Sequence, residues 1–167
     1  RGVDWLAVPT SLLAQVDASV GGKTGVDTRQ GKNLIGAFHQ PRAVLMDPAW
    51  PASLPAAEWR NGLAEMIKAA WIADRALFDQ LEQRADDLAA PGPIPVDLLS
   101  RSVVIKAVLV QADEREGGRR AWLNFGHTAG HALERASGYE LPHGRAIAQG
   151  MLIEGRLAVQ RCGLAPG

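Results

Sequence analysis

The chain is 167 residues long, enough for one substantial core or for a piece of a larger protein. Its 18 basic and 18 acidic residues cancel, so no global field points to nucleic acid or an anionic membrane, and its single cysteine, Cys162, excludes an internal disulfide framework. No run approaches the roughly 20 apolar residues of a membrane span and no signal peptide is visible, so a reducing cytoplasmic setting is expected.

Residues 4–8 read as a short buried strand closed by Pro9. Thr10 and Ser11 can cap a helix expected over residues 12–18, beside an anion-ready helix start. Two glycine-lysine runs follow, Gly21-Gly22-Lys23-Thr24-Gly25 and Gly31-Lys32-Asn33-Leu34-Ile35-Gly36. Glycines that free backbone amides, with lysines interleaved, suit a phosphate-handling loop; a solvated turn is the plain alternative. The nucleotide P-loop is excluded, because it needs a glycine five positions before Gly22, where Asp17 stands. A second short strand is expected over residues 43–46, ended by Asp47-Pro48.

A helix is expected over residues 56–73. Leu63, Ile67, Ala70 and Trp71 would form its apolar side, with Asn61, Glu65 and Lys68 on the opposite side. That polar stripe reads either as a wet face or as a carboxylate ligand flanked by an amide and an ammonium. Residues 75–88 make an ordinary amphipathic helix, and Pro91-Gly92-Pro93 with Pro95 breaks the chain. Residues 96–112 form a long apolar helix in which Lys106 is the only charge after position 102. It either snorkels to solvent or reaches a polar cavity that holds an anion. A last helix is expected over residues 144–162.

Three of the four histidines, His127, His131 and His143, fall between residues 122 and 143. On a helix begun by Asn124 or Gly126, His127 and His131 would stack on one face. Neutral imidazole is the commonest metal ligand, but a divalent ion needs a third protein ligand. The HExxH zinc-protease pattern is absent, since Thr128 follows the first histidine, so a carboxylate from elsewhere has to complete any site.

These segments resemble successive signatures of the 3-dehydroquinate synthase family, in order and spacing: VPTSLLAQVDASVGGKTGVDTRQGKNLIGAFHQP, LPAAEWRNGLAEMIKAA, LNFGHTAGHALE and LPHGRAIAQGM. The resemblance implies an internal piece of such an enzyme. Residues 1–54 would close a Rossmann-like α/β NAD domain, and residues 55–167 would begin a mostly helical domain that binds metal and substrate. It assigns Glu65, His127 and His143 to one divalent ion, zinc or cobalt. It assigns Thr10, Ser11, Asp17, Lys23, Lys32, Trp50, Pro51, Ala52 and Ser53 to NAD. The substrate positions are Lys23, Asn33, Lys68, Lys106, Arg120, Asn124 and His131, with Arg1 reaching the neighbouring subunit of a homodimer. The implied reaction converts 3-deoxy-D-arabino-heptulosonate 7-phosphate to 3-dehydroquinate and phosphate, in a lyase whose redox steps cancel within each turnover. The two anionic groups of that substrate account for the many cations in a neutral chain. Arg145, Ala129 and Ala57 depart from the glutamate, phenylalanine and arginine usual at those positions in the family. The alternatives are another NAD- and metal-dependent sugar-phosphate cyclase, or a non-catalytic fragment or paralogue.

Overall fold

Strand β1 (Leu6–Ala7) pairs in parallel with β4 (Ala43–Val44), Leu6 opposite Ala43 and Ala7 opposite Val44. The computed structural model describes residues 2–29, 31–114 and 116–165, with side chains at all of these except 27 and 31–34. Parallel neighbours need a long crossover. Here it contains a π-helical turn, Ala14–Ala18, and a hairpin of β2 (Lys23–Thr28) and β3 (Gly31–Phe38). The buried Gln15 amide ties the crossover to both strand exits, donating to the carbonyls of Pro9 (3.3 Å) and Asp47 (2.8 Å).

The hairpin corrects one sequence expectation. The glycine-lysine runs are not an open loop, because residues 23–28 and 31–38 pair as an antiparallel hairpin. Gly25 faces Gly36 there, and a Cβ on Gly36 would meet the Thr24 carbonyl oxygen at 2.2 Å, so close backbone approach is what these glycines permit.

Five helices follow the 3-10 turn Trp50–Ser53: α1 (Ala56–Ala73), α2 (Arg75–Gln83), α3 (Val96–Ala112), α4 (His127–Ala136) and α5 (His143–Cys162). A 3-10 turn, Arg119–Asn124, joins α3 to α4. Residues 12–18 are helical as expected, the last five as a π-helical turn, whereas β4 stops two residues early and α2 ends five residues before Leu88. The starts of α1, α3 and α5 each follow a proline, at 55, 95 and 142, whose fixed φ and missing donor suit a helix entrance.

One core joins the two halves. Leu12 and Val16 from the crossover pack with Trp59, Met66 and Ala70 of α1, Leu77 and Leu81 of α2, and Leu98 and Leu99 of α3. Trp59, 1% exposed, donates its indole N–H to the Leu88 carbonyl at 2.7 Å, so the ring is buried without an orphaned donor. No helix among the described residues is long and apolar enough to cross a membrane.

The orientation of α1 bears out half of its expected apolar side, Ala70 in the core with Leu63 against it, and corrects the other half. Ile67 and Trp71 are 38% and 55% exposed, while Asn61, Glu65 and Lys68 are buried. Its polar stripe therefore faces inward, toward α4 and α5, and that placement creates the site.

Candidate metal centre and adjoining cavity

Glu65 projects from the middle of α1 with 3% of its surface exposed. One carboxylate oxygen, Oε2, pairs with Lys68 one turn along the same helix, an ammonium equally removed from solvent. The other, Oε1, is buried and has no hydrogen-bond partner. A buried acceptor left without a donor costs about 1–3 kcal/mol, so such an atom calls for an explanation.

Two imidazoles supply one. Nε2 of His127, at the start of α4, lies 3.8 Å from Glu65 Oε1, and Nε2 of His143, at the start of α5, lies 3.7 Å from it. Three donor atoms each about 2.0–2.2 Å from one tetrahedral ion would stand about 3.4 Å apart. One ligand atom from each of Glu65, His127 and His143 lies within 4.8 Å of the others, and no other such triad of histidine, cysteine or acidic groups occurs among the described residues. The oxygen and nitrogen donors are those zinc and cobalt accept, so the residues fit a divalent ion.

Local structure fixes each ligand. Gly126 takes φ +79°, a left-handed turn that starts α4, and a Cβ there would strike Met151 Cγ at 2.6 Å. The Glu154 carboxylate of α5 accepts from the amides of Gly126 (2.7 Å) and Ala129 (3.1 Å), capping the helix that carries His127. Asn61 Oδ1 accepts from the Gly144 amide at 2.8 Å, pinning the α5 start beside α1 one turn before Glu65. His143 Nδ1 meets Glu134 Oε1 at 3.1 Å, and His127 Nδ1 lies 3.4 Å from the Phe125 carbonyl.

The electrostatics agree with a ligand set. Burial opposes ionisation of Glu65, but the His143 imidazole and the Lys68 ammonium outweigh it and hold the carboxyl down to about 2. Burial, then the Lys68 charge, pushes His127 down, toward the neutral form that binds metal. His143 is pushed up, first by Glu65. The carboxylate is thus an anion at neutral pH, with Lys68 on Oε2 and both imidazoles facing Oε1.

Beside this cluster opens a cavity of about 750 Å³, a volume suited to a small ligand. Its wall includes Lys23, Lys68, Lys106, Arg120, Asn124, His127 and His131. Lys106 does not snorkel: buried on α3, it donates to the Asp17 backbone carbonyl at 2.6 Å and pairs with the Asp17 carboxylate. Burial depresses its pKa and Asp17 opposes that. Lys23 pairs with Glu116 at 2.5 Å. Arg120 donates to the carbonyls of Glu114 (2.5 Å) and Gly21 (3.1 Å), which satisfy its N–H groups without neutralising its charge. Of these four cations Lys23, Lys68 and Lys106 are each held by a carboxylate, while Arg120 is held by carbonyls and keeps its charge available to an anion.

Of the positions expected to meet NAD, Asp17 and Lys23 are on this wall, and Thr10, Trp50, Ala52 and Ser53 are exposed elsewhere. Ser11 Oγ accepts from the Ala14 amide at 3.2 Å, and Pro51 is buried. Arg1 and the side chains of Lys32 and Asn33 lie outside the described residues.

Two family models account for the chain: 3-dehydroquinate synthase N-terminal matches residues 1–61, and 3-dehydroquinate synthase C-terminal matches residues 62–166. The chain belongs to the 3-dehydroquinate synthase family. Curated 3-dehydroquinate synthases from Synechococcus sp. and Nostoc punctiforme are each 53% identical to it over 164 residues, covering 95% and 96% of this chain. The same alignments take in 44% and 45% of those enzymes, so the chain spans a little under half their length. Among solved structures, 2-epi-5-epi-valiolone synthase from Streptomyces hygroscopicus, with NAD+ and Zn2+ bound, superimposes with TM-score 0.88 at 35% identity, over 99% of this chain and 47% of that one. A 2-deoxy-scyllo-inosose synthase complexed with carbaglucose-6-phosphate, NAD+ and Co2+ gives 0.85 at 30% identity, over 99% of this chain and 46% of that one. The dehydroquinate synthase fold, an α/β part followed by a helical one, is therefore the fold of this chain.

Three contributors escaped sequence reasoning. Glu134 and Glu154 orient a ligand and a ligand-bearing helix. Asp113 accepts from the amides of Gly117, Gly118 and Arg120 and shapes the loop that delivers Arg120. For Glu134 a signal existed: it lies seven residues after His127 and three after His131, on the same face of a helix.

Proposed function

We propose that the chain is the central portion of a 3-dehydroquinate synthase, a phosphate-eliminating carbon-oxygen lyase acting on 3-deoxy-D-arabino-heptulosonate 7-phosphate in the shikimate pathway. The observation that carries the reading is the convergence of Glu65, His127 and His143 beside a cation-lined cavity, in a chain half identical to curated enzymes of that name. Glu65, His127 and His143 hold one zinc or cobalt ion. Thr10, Ser11, Asp17, Lys23, Lys32 and the 50–53 turn meet NAD, and both cofactors accompany a relative of similar fold. When bound, the ion supplies Lewis acidity that lowers the pKa of a coordinated hydroxyl, and NAD supplies a hydride acceptor.

The chain's own residues bind and orient. Lys68, Lys106, Arg120, Asn124 and His131 line the recess, and with Lys23 and Asn33 they grip the substrate carboxylate and phosphate. Their positions are set before substrate arrives: Lys68 by Glu65, Lys106 by Asp17 and Arg120 by two carbonyls. Fixed charges of this kind stabilise a developing anion without reorganisation. Burial of Lys68 and Lys106 strengthens each interaction by excluding water.

The domain division falls at 54/55, where the 3-10 turn ends and Pro55 opens α1. A cytoplasmic homodimer, with Arg1 reaching the partner's site, completes the proposal. The test is phosphate release from 3-deoxy-D-arabino-heptulosonate 7-phosphate by the full-length gene product with NAD and zinc. Release supports the assignment. Turnover of a different sugar phosphate reassigns the substrate, and a folded protein inert toward all of them is a non-catalytic paralogue.

A further inference from the structure

We propose that Glu134 is a positioning residue of the metal centre: its carboxylate accepts from His143 Nδ1 and thereby turns Nε2 of that ring toward the ion. The inference rests on the metal reading given above. Glu134 lies on α4 and is 9% exposed, with Oε1 3.1 Å from His143 Nδ1 and Oε2 3.9 Å from Nε2 of His131. An ionised carboxylate can only accept, so the proton of that contact belongs to Nδ1. In a neutral ring the lone pair then resides on Nε2, the atom 3.7 Å from the partnerless Glu65 Oε1.

Glu134 is itself held. Its backbone carbonyl accepts from the Ser137 hydroxyl at 2.9 Å and from the Tyr139 amide at 2.8 Å, where Tyr139 takes φ +65°. The end of α4 is thus fastened to the turn that leads to His143. The other carboxylate oxygen faces His131 of the cavity wall from 3.9 Å, beyond hydrogen-bond reach, so the bond to His143 is the contact that orients a ligand. Among the described residues His127 Nδ1 meets the Phe125 carbonyl at 3.4 Å rather than a carboxylate, so the two imidazoles are oriented by groups of unequal strength. Carboxylates that accept from the remote nitrogen of a ligating histidine fix its tautomer and raise its basicity, and their loss costs about 10–100-fold in metal affinity.

The experiment uses the full-length, NAD-loaded protein, stripped by a chelator and titrated with Co2+, with binding read from visible d–d absorption. Glu134→Ala is expected to lower cobalt affinity about 10–100-fold and Glu134→Gln by less. In the metal-free parent at alkaline pH, where the imidazole is neutral, nitrogen NMR should show His143 protonated at Nδ1, and in Glu134→Ala a mixture of tautomers. His143→Ala serves as control. If His143→Ala binds cobalt as the parent does, the metal reading itself fails. If His143→Ala loses cobalt while both Glu134 variants keep parent affinity and tautomer, this inference alone is overturned. Should Glu134→Ala not fold, Glu134→Leu, which keeps the bulk and offers no acceptor, decides by the same two readouts.

Discussion

Gly144→Ala isolates the packing that brings Glu65 and His143 together. A methyl group at 144 would lie 2.4 Å from Asn61 Cα and 3.0 Å from the Arg60 carbonyl oxygen, both on the α1 backbone. Carbon atoms settle at about 3.5–4.0 Å, so α5 has to retreat from α1 by about 1 Å. The Asn61 Oδ1 bond to the 144 amide, now 2.8 Å, is then stretched beyond hydrogen-bonding distance. The gap between Glu65 Oε1 and His143 Nε2, now 3.7 Å, opens well past the about 3.4 Å that one tetrahedral ion requires. Overpacking of this kind costs about 1–3 kcal/mol, and each 1.4 kcal/mol lost from binding is about tenfold in affinity. Gly155→Ala is the matched control on the same helix: nothing among the described residues lies within 4 Å of its added methyl, and it should stabilise by about 0.5–1 kcal/mol. Urea denaturation of the metal-free proteins and cobalt titration of the same samples give both numbers. Equal stability and equal cobalt affinity for the two variants would refute the reasoning.

Lys68→Met removes the ammonium paired with Glu65 inside the protein, and breaking that buried pair should cost about 3–5 kcal/mol in metal-free protein. Saturating zinc should return part of it, as binding to the native state must; a denaturation midpoint that ignores both changes argues against the pair. Lys106→Met strands the Asp17 carboxylate on the cavity wall, and losing one charge-assisted contact of about 1.5–3 kcal/mol should weaken substrate binding by roughly tenfold or more. An unchanged substrate dissociation constant would leave Lys106 with a structural role only. Asp74 caps α2 through the Leu77 amide at 3.0 Å and holds Arg101 Nη2 at 2.7 Å, so Asp74→Ala should cost about 1–2 kcal/mol, with Asp74→Asn recovering part. The Leu77 amide, with Arg101, holds the Asp74 carboxyl below its ordinary 3.8, so its contribution is full above that value and fades as pH falls through the lower folded value. Denaturation of parent and variant at neutral and acid pH should show the gap closing only in acid.

The helices were legible where proline and periodicity agree, as at Pro55, Pro95 and the apolar run of α3. The hairpin was hidden because Gly25 and Gly36 read as loop residues, whereas cross-strand pairing makes them useful for close backbone approach. The facing of α1 is legible at Leu63 and Ala70 and not at Ile67 and Trp71, for a physical reason. Charges four and three residues apart look the same whether they meet water or a buried partner, and only tertiary packing showed Ile67 and Trp71 outside. The resemblance supplied Glu65, His127 and His143, and their convergence follows from contacts no local pattern contains, such as Asn61 to the Gly144 amide. Lys106 was rightly singled out as an uneasy charge in an apolar helix, but its partner, Asp17, stands 89 residues away.

The most direct test of the account is a crystal of the full-length protein grown with Co2+ and measured at the cobalt absorption edge. One anomalous peak per subunit, within about 2.0–2.2 Å of Glu65 Oε1 and of Nε2 of His127 and His143, is the expected result. A peak coordinated by other residues, or none at these three at saturating cobalt, would contradict it.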